Sequence, residues 1–448
     1  MKIRLFALLA ALTMAIGLGA PAWAQAVPLR APTSHVEVAQ LPPAGVASFD
    51  PVKATNAYLA QVPAKDRART NAYVEGGYVL QMVDLIYALV LAGVLLWGKI
   101  SSRMREYAAS VTRHRFWQAP IYVAQYIVLT TVLTLPLTLY EDYFRERHYG
   151  LSNQTLLQWA LDFAIQFAVS LAASIILLTI IYAVVRVARR AWWAWGAALT
   201  VLFMIFFIMI APVFVAPLTN KYTPLPDSGM KNAILSLARA NDIPAKDVYV
   251  FDASKQTKKI SANVSGLWGT TRISLNDNLL NRSTPSEVLA VLGHEMGHYV
   301  MNHVATIVTW LGLLILFGFW FVDKAFHGLI NIFGGNWDVR SIDDPAGLPA
   351  VMAVISVFFF FATPVTNTIT RTQEIQADLY GLNAVRQPDA MAKAFLKLGE
   401  YRKLDPSPLE ETVFFDHPSG RNRILMAMRW KAEHLNDPDI MAGPISPQ

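Results

Sequence analysis

The chain has 448 residues; 54% are hydrophobic, only 16% are charged, and the mean hydropathy is +0.35. Soluble globular chains carry about 25% charged residues, so much of this chain is expected to avoid water. A formal charge of +6 is too small and scattered for a nucleic-acid binder, and the lack of cysteine excludes disulfides and thiolate metal sites, leaving His, Asp and Glu as metal ligands.

Residues 1–24 read as a secretory signal peptide or an uncleaved anchor. Lys2 and Arg4 give a basic start, Leu5 to Gly19 is apolar, and Ala22-Trp23-Ala24 offers small residues for cleavage after Ala24. Residues 25–77 are rich in Ala and Pro and are expected to form an exported, extended arm, with Pro42-Pro43 and Pro51 breaking long elements. Apolar stretches near the ~20 residues needed to cross a bilayer follow at Tyr78–Trp97, Ala119–Tyr140, Phe163–Val185 and Ala191–Val215, a four-span region over 78–217. Two more, Val304–Phe321 and Leu348–Val365, make a two-span region over 304–369.

Lys99, Arg103, Arg105, Arg113 and Arg115 lie between the first two spans, and Arg186, Arg189 and Arg190 between the third and fourth. Basic loops favour the cytoplasmic side. Parity then puts residues 218–303 and the C-terminal segment from 370 to 448 outside, which in a bacterial inner membrane is the periplasm. Between Thr219 and Arg282 the pattern becomes that of a soluble α/β segment. Met230–Ala240 has helical spacing, Asp247–Asp252 and Thr270–Asn276 read as strands, and Ser265–Gly269 reads as a turn. Thr284-Pro285-Ser286-Glu287 is a helix start with a capping box.

That helix carries His294-Glu295-Met296-Gly297-His298. Histidines four apart share a helical face and can bind one zinc ion. Glu295 is turned about 100° from His294, so it flanks the metal as a general base for a zinc-polarised water. His303 follows about 180° around a continuous helix from His294 and is expected to face away. A catalytic zinc needs a third protein ligand. The candidate is Glu374, with Asp378 one turn on positioned to orient a ligating imidazole; the alternative is a solvated acidic helix face. His417, in Phe415-Asp416-His417-Pro418, is either an exposed turn residue or a donor to a developing oxyanion. Arg423 could orient His417 or bind a substrate carboxylate.

These motifs occur together, and in this order, in one family. The chain resembles the type I CAAX prenyl endopeptidases, integral-membrane gluzincin zinc metallopeptidases, from about Val79 to Trp430. The resemblance is carried by Leu135–Phe144, Gly150–Thr155, Ala211–Asn220, Thr223-Pro224-Leu225, Ser261-Ala262-Asn263, the His-Glu-x-x-His helix, Glu374-x-x-Ala-Asp378, and His417-Pro418 with Arg423. It implies His294, His298 and Glu374 as ligands of one Zn2+, Glu295 as catalytic base, a transition-state role for His417 with Arg423 beside it, and peptide binding along a strand edge near Asn263. It also implies a mainly α fold: a polytopic transmembrane bundle enclosing a water-filled chamber, with a small α/β zinc-metallopeptidase domain split around the last two spans.

The expected function is therefore an integral-membrane zinc metalloendopeptidase acting on peptides or unfolded segments, with the lipid bilayer as its other partner. CAAX processing of prenylated proteins is a second enzymatic reading. A non-catalytic peptide-binding chamber or chaperone with a structural zinc is the third, and it leaves Glu295 no reason to sit beside the ligands.

Overall fold

The computed structural model describes residues 49–266 and 271–441. The signal segment, the arm up to residue 48 and part of the turn Ser265–Gly269 lie outside the described residues. Inside a bilayer every backbone polar group must be satisfied within its own segment, and the apolar stretches accordingly form helices. Among the described residues six are long and apolar enough to cross a membrane: Ala64–Trp97, Arg115–His148, Leu156–Ala188, Trp192–Leu218, His303–Trp337 and Pro345–Val385. Each coincides with one of the six expected spans, the fourth starting one residue later, at Trp192. At most a third of each apolar window is buried, and residues such as Ile86, Val90, Leu202, Phe206 and Phe361 face outward, as lipid contact requires. Between the spans lies an apolar cavity lined among others by Tyr126, Leu177, Trp192 and Phe358.

Part of the expected arm is helical instead. Pro51–Ala60 is a helix, and the first span begins at Ala64 rather than Tyr78. Pro51 starts its helix instead of breaking one, because Pro is compatible with a first turn and the Asp50 carboxylate accepts hydrogen bonds from the Val52 and Lys53 N–H groups. The stretch 64–77 is the polar extension of the first span beyond the apolar layer.

The connections between spans sort onto two sides. Arg105, after the first span, bonds Asp338 and Asp344, between the fifth and sixth, at 2.5 and 2.8 Å. Arg186 at the end of the third span donates to the Arg115 carbonyl at the start of the second (2.8 Å). The connection between the second and third spans is on the opposite side, where Asn153 N–H donates to Gln256 O (3.0 Å) and Lys258 N–H to Leu151 O (3.1 Å).

The α/β segment on that opposite side has a sheet ordered β1 (Tyr222–Pro224), β2 (Val248–Phe251), β4 (Arg272–Asn276), β3 (Ala262–Ser265). β2 and β4 are parallel and the outer pairings are antiparallel. Ile273, Leu275, Val264 and Val248 pack with Ile234 of helix Gly229–Ala240 and with Val288, Leu292 and Met296 of helix Pro285–Val300, so one hydrophobic core fixes the sheet against the motif helix. β3 is an edge strand, paired through β4 alone.

Candidate metal centre

The motif helix Pro285–Val300 begins as its sequence requires. Thr284 Oγ1 accepts from Glu287 N–H, and Glu287 Oε2 accepts from Thr284 N–H at 2.7 Å. Glu287 also takes a bond from Lys397 Nζ (2.6 Å). The helix lies against Leu348–Val385, which continues from the sixth span without a break. Glycines allow the close approach. A Cβ on Gly297 would stand 3.1 Å from the Ala377 Cα, and one on Gly381 would stand 2.8 Å from the His294 backbone nitrogen. This contact carries Glu374 to the histidines.

The three expected ligands converge. His294 Nε2 and His298 Nε2 are 3.1 Å apart; Glu374 Oε2 is 3.3 Å from the first and Oε1 is 3.3 Å from the second. Zinc binds nitrogen and oxygen at about 2.0–2.1 Å, so the edges of a tetrahedron around it measure about 3.3–3.4 Å. The triangle fits such an ion. His294, His298 and Glu374 are the one group of this kind among the described residues. All three are buried, and Glu374 Oε2 accepts no hydrogen bond from the protein. Burial opposes a charge on His294, but Glu374 and Asp378 outweigh it and raise its pKa to about 10. Glu374 and Asp378 thus favour a positive charge at this position, which a bound cation would supply in place of the His294 proton. Burial keeps His298 below its usual value, in the neutral form a metal ligand needs.

Both imidazoles are steered from behind. His294 Nδ1–H donates to Asp378 Oδ1 at 2.8 Å, and Asp378 is clamped by Arg423 through Nε (2.7 Å) and Nη2 (2.5 Å). Arg423 is thus spent on Asp378, with its guanidinium over the Phe395 ring, and does not contact His417. His298 is steered by a residue expected to face away. The motif helix ends at Val300, Asn302 adopts a left-handed conformation (φ 56°), and the next helix begins at His303. This break swings the His303 ring to 2.9 Å from His298 Nδ1, while its Nε2 is 3.1 Å from Gln376 Oε1. With Nε2 of His298 kept for a metal, one proton order satisfies the chain: His298 Nδ1–H donates to His303 Nδ1, and His303 Nε2–H donates to Gln376.

Glu295 lies on the open side of the cluster. Its Oε2 is buried without a hydrogen-bond partner, and burial raises its pKa to about 7, against the lowering pull of His294; a bound dication would lower it further. His417 comes in from the loop between helices Pro408–Phe414 and Gly420–Glu433, with Nε2 3.3 Å from Glu374 Oε1 and Nδ1 donating to Asp416 Oδ1 at 2.7 Å. These groups border a cleft of about 640 Å³ that also includes Ser261 and Ala262. Asn263 lies on edge strand β3, and its Oδ1 accepts from Ser265 Oγ (3.3 Å); it does not line the cleft.

The description Peptidase family M48 matches residues 224–431, and CAAX prenyl protease N-terminal, five membrane helices, matches residues 53–221. Residues 53–221 hold four span-length helices and the shorter helix Ile100–Val111. An uncharacterized metalloprotease of Bacillus subtilis, YhfN, is 33% identical over 333 residues, covering 74% of this chain and 78% of the relative. CAAX prenyl protease 1 of Saccharomyces cerevisiae is 27% identical over 333 residues, covering 66% and 69%. The crystal structure of S. mikatae Ste24p superposes with a TM-score of 0.65 at 22% identity, covering 95% of this chain and 96% of that one, which identifies the fold. With its two family segments consecutive along the chain and His294, His298 and Glu374 gathered on one buried triangle, the protein belongs to peptidase family M48 and is an integral-membrane metalloprotease.

Proposed function

We propose that the chain is a zinc metalloendopeptidase whose ligands are His294, His298 and Glu374 and whose base is Glu295. The observation that carries this reading is the donor triangle of 3.1–3.3 Å edges with an unpartnered carboxylate oxygen of Glu295 beside it. Bound zinc would supply Lewis acidity toward a water and a scissile carbonyl. Glu295 accepts the proton of the attacking water and passes it to the leaving amine; its raised pKa suits both halves of that transfer. His417, its Nδ1–H fixed by Asp416, donates from Nε2 to the oxyanion in its doubly protonated form as charge develops. Asp378 with Arg423, and His303 with Gln376, hold the two imidazoles in one tautomer and one orientation. The free edge of β3, with Asn263 on it, accepts an extended peptide as an added strand.

The side of the protein bearing Lys99, Arg103, Arg105, Arg186, Arg189 and Arg190 is the cytoplasmic side in this proposal, so the catalytic side faces the periplasm of a bacterium. Reporter fusions at Asp227 and at the C-terminus should read as external, and cytoplasmic signals from both would reverse the orientation. Catalysis is tested with purified protein on a quenched peptide panel that includes a farnesylated CAAX peptide, given the name of the yeast relative. Cleavage lost in Glu295→Gln supports the peptidase. Preference for the farnesylated peptide over its unprenylated form assigns CAAX processing. No cleavage of any peptide by zinc-loaded protein favours a binding chamber.

A further inference from the structure

Two arginines approach the metal cluster, and they are used in opposite ways. Arg423 is buried and bound to Asp378 through Nε and Nη2, with Glu374 Oε2 3.7 Å from Nη2. Arg402, just beyond helix Pro388–Leu398, has its Nη2 3.3 Å from His417 Nε2, while its Nη1 is buried with no hydrogen-bond partner. Among the described residues no carboxylate lies within ion-pair distance of Arg402; its neighbour Asp416 is engaged by His417. Arg402 is only partly buried, but a donor atom of it that water does not reach is unfavourable unless something else satisfies it.

Its location says what that partner is. Arg402 lines the cleft that holds His294, Glu295 and Glu374 and also a second cavity of about 590 Å³, walled by Tyr78, Phe395, Phe414 and Phe415. The two spaces share Arg402 and His417. A chain laid along the β3 edge and crossing the metal cluster reaches the second cavity past this guanidinium.

Resting on the peptidase reading above, we propose that Arg402 anchors the substrate by donating from its free edge to a planar oxygen acceptor of the peptide, either a main-chain carbonyl or the C-terminal carboxylate. The planar fork of Arg fits both acceptors, and Lys at this position would reproduce the charge without the fork. The aromatic cavity beyond it would take the side chain next to the anchored oxygen.

The test uses full-length protein carrying Glu295→Gln, so that binding is read without turnover. A labelled peptide is titrated with its C-terminus free or amidated, with Arg402 intact and with Arg402→Ala or Arg402→Lys, and zinc content is measured for each. Arg402→Ala should weaken binding by about tenfold or more with zinc content unchanged, and Arg402→Lys should recover only part of it. Loss confined to the free-acid peptide assigns the carboxylate; equal loss for both assigns the carbonyl. In the Glu295 background the same change should raise KM and leave kcat within about threefold. Unchanged affinity for both peptides, or a fall in kcat with KM unchanged, would overturn the proposal and leave Arg402 as a support for His417. Binding by the Glu295→Gln protein without cleavage by the wild type would sink the peptidase reading alone, and absence of any binding would sink both.

Discussion

The two flanks of the metal cluster are built on different terms. On the ligand flank every nitrogen behind the metal site has a partner: His294 on Asp378, Asp378 on Arg423, His298 on His303, His303 on Gln376. On the cleft flank, Glu295 Oε2 and Arg402 Nη1 are buried without partners, and His417 is held by an exposed Asp416 at the tip of a loop. The difference separates two tasks. Ligand geometry must be fixed before a metal arrives, whereas groups that meet substrate keep their hydrogen-bonding capacity for it.

Changes on the ligand flank should therefore cost stability and metal, and changes on the cleft flank should cost turnover or substrate binding with stability and metal kept. The largest effect is expected for Asp378→Asn, which leaves Arg423 buried without its main counter-ion. About 3 kcal/mol of stability should be lost, and metal affinity should fall about 10–100-fold, as read by thermal unfolding and zinc retention against a chelator. A variant as stable and as zinc-replete as wild type would erase the contrast. His417→Ala should lower kcat by about 10²–10³-fold with zinc content intact; loss of zinc instead would move His417 to the ligand flank.

His303→Ala sharpens the comparison, because His303 does not line the cleft that holds Glu295. Zinc affinity should fall about tenfold, and His303→Asn or His303→Gln, either of which can still accept from His298, should recover part of it. Equal zinc retention in His303→Ala would mean that His298 needs no support. The smallest effect is the position of the acid limb of kcat/KM. Burial raises the Glu295 pKa, so the base is lost by protonation as pH falls, and the limb should lie between the ordinary carboxylate value of 4.5 and about 7. A profile flat down to pH 4.5 would remove Glu295 from the role of base.

The spans and the motif helix were legible in the sequence because hydropathy and the Thr284–Glu287 capping box are local signals. Their ends were less so. The first and sixth membrane helices run well past the apolar layer, and beyond it polar residues keep a helix going through contacts that hydropathy does not register. That extension is what carries Glu374 and Asp378 on the same rigid rod as the sixth span. The position of His303 was misjudged because helix periodicity was assumed to continue. The signal was Asn302, a residue type that tolerates the left-handed conformation found there. Arg423 was singled out from the sequence, but its bonding to Asp378 rather than His417 depends on how two helices dock. Arg402 had no signal, since whether a guanidinium is paired depends on packing between distant segments.

The most direct test of the account sets zinc per chain and peptide turnover side by side in the wild-type protein and in Glu295→Gln. Both proteins should hold one zinc, and turnover should fall about 10²–10⁴-fold in the variant. A variant that cleaves like wild type, or one that loses its zinc, would contradict the separation of ligands from base on which the account rests.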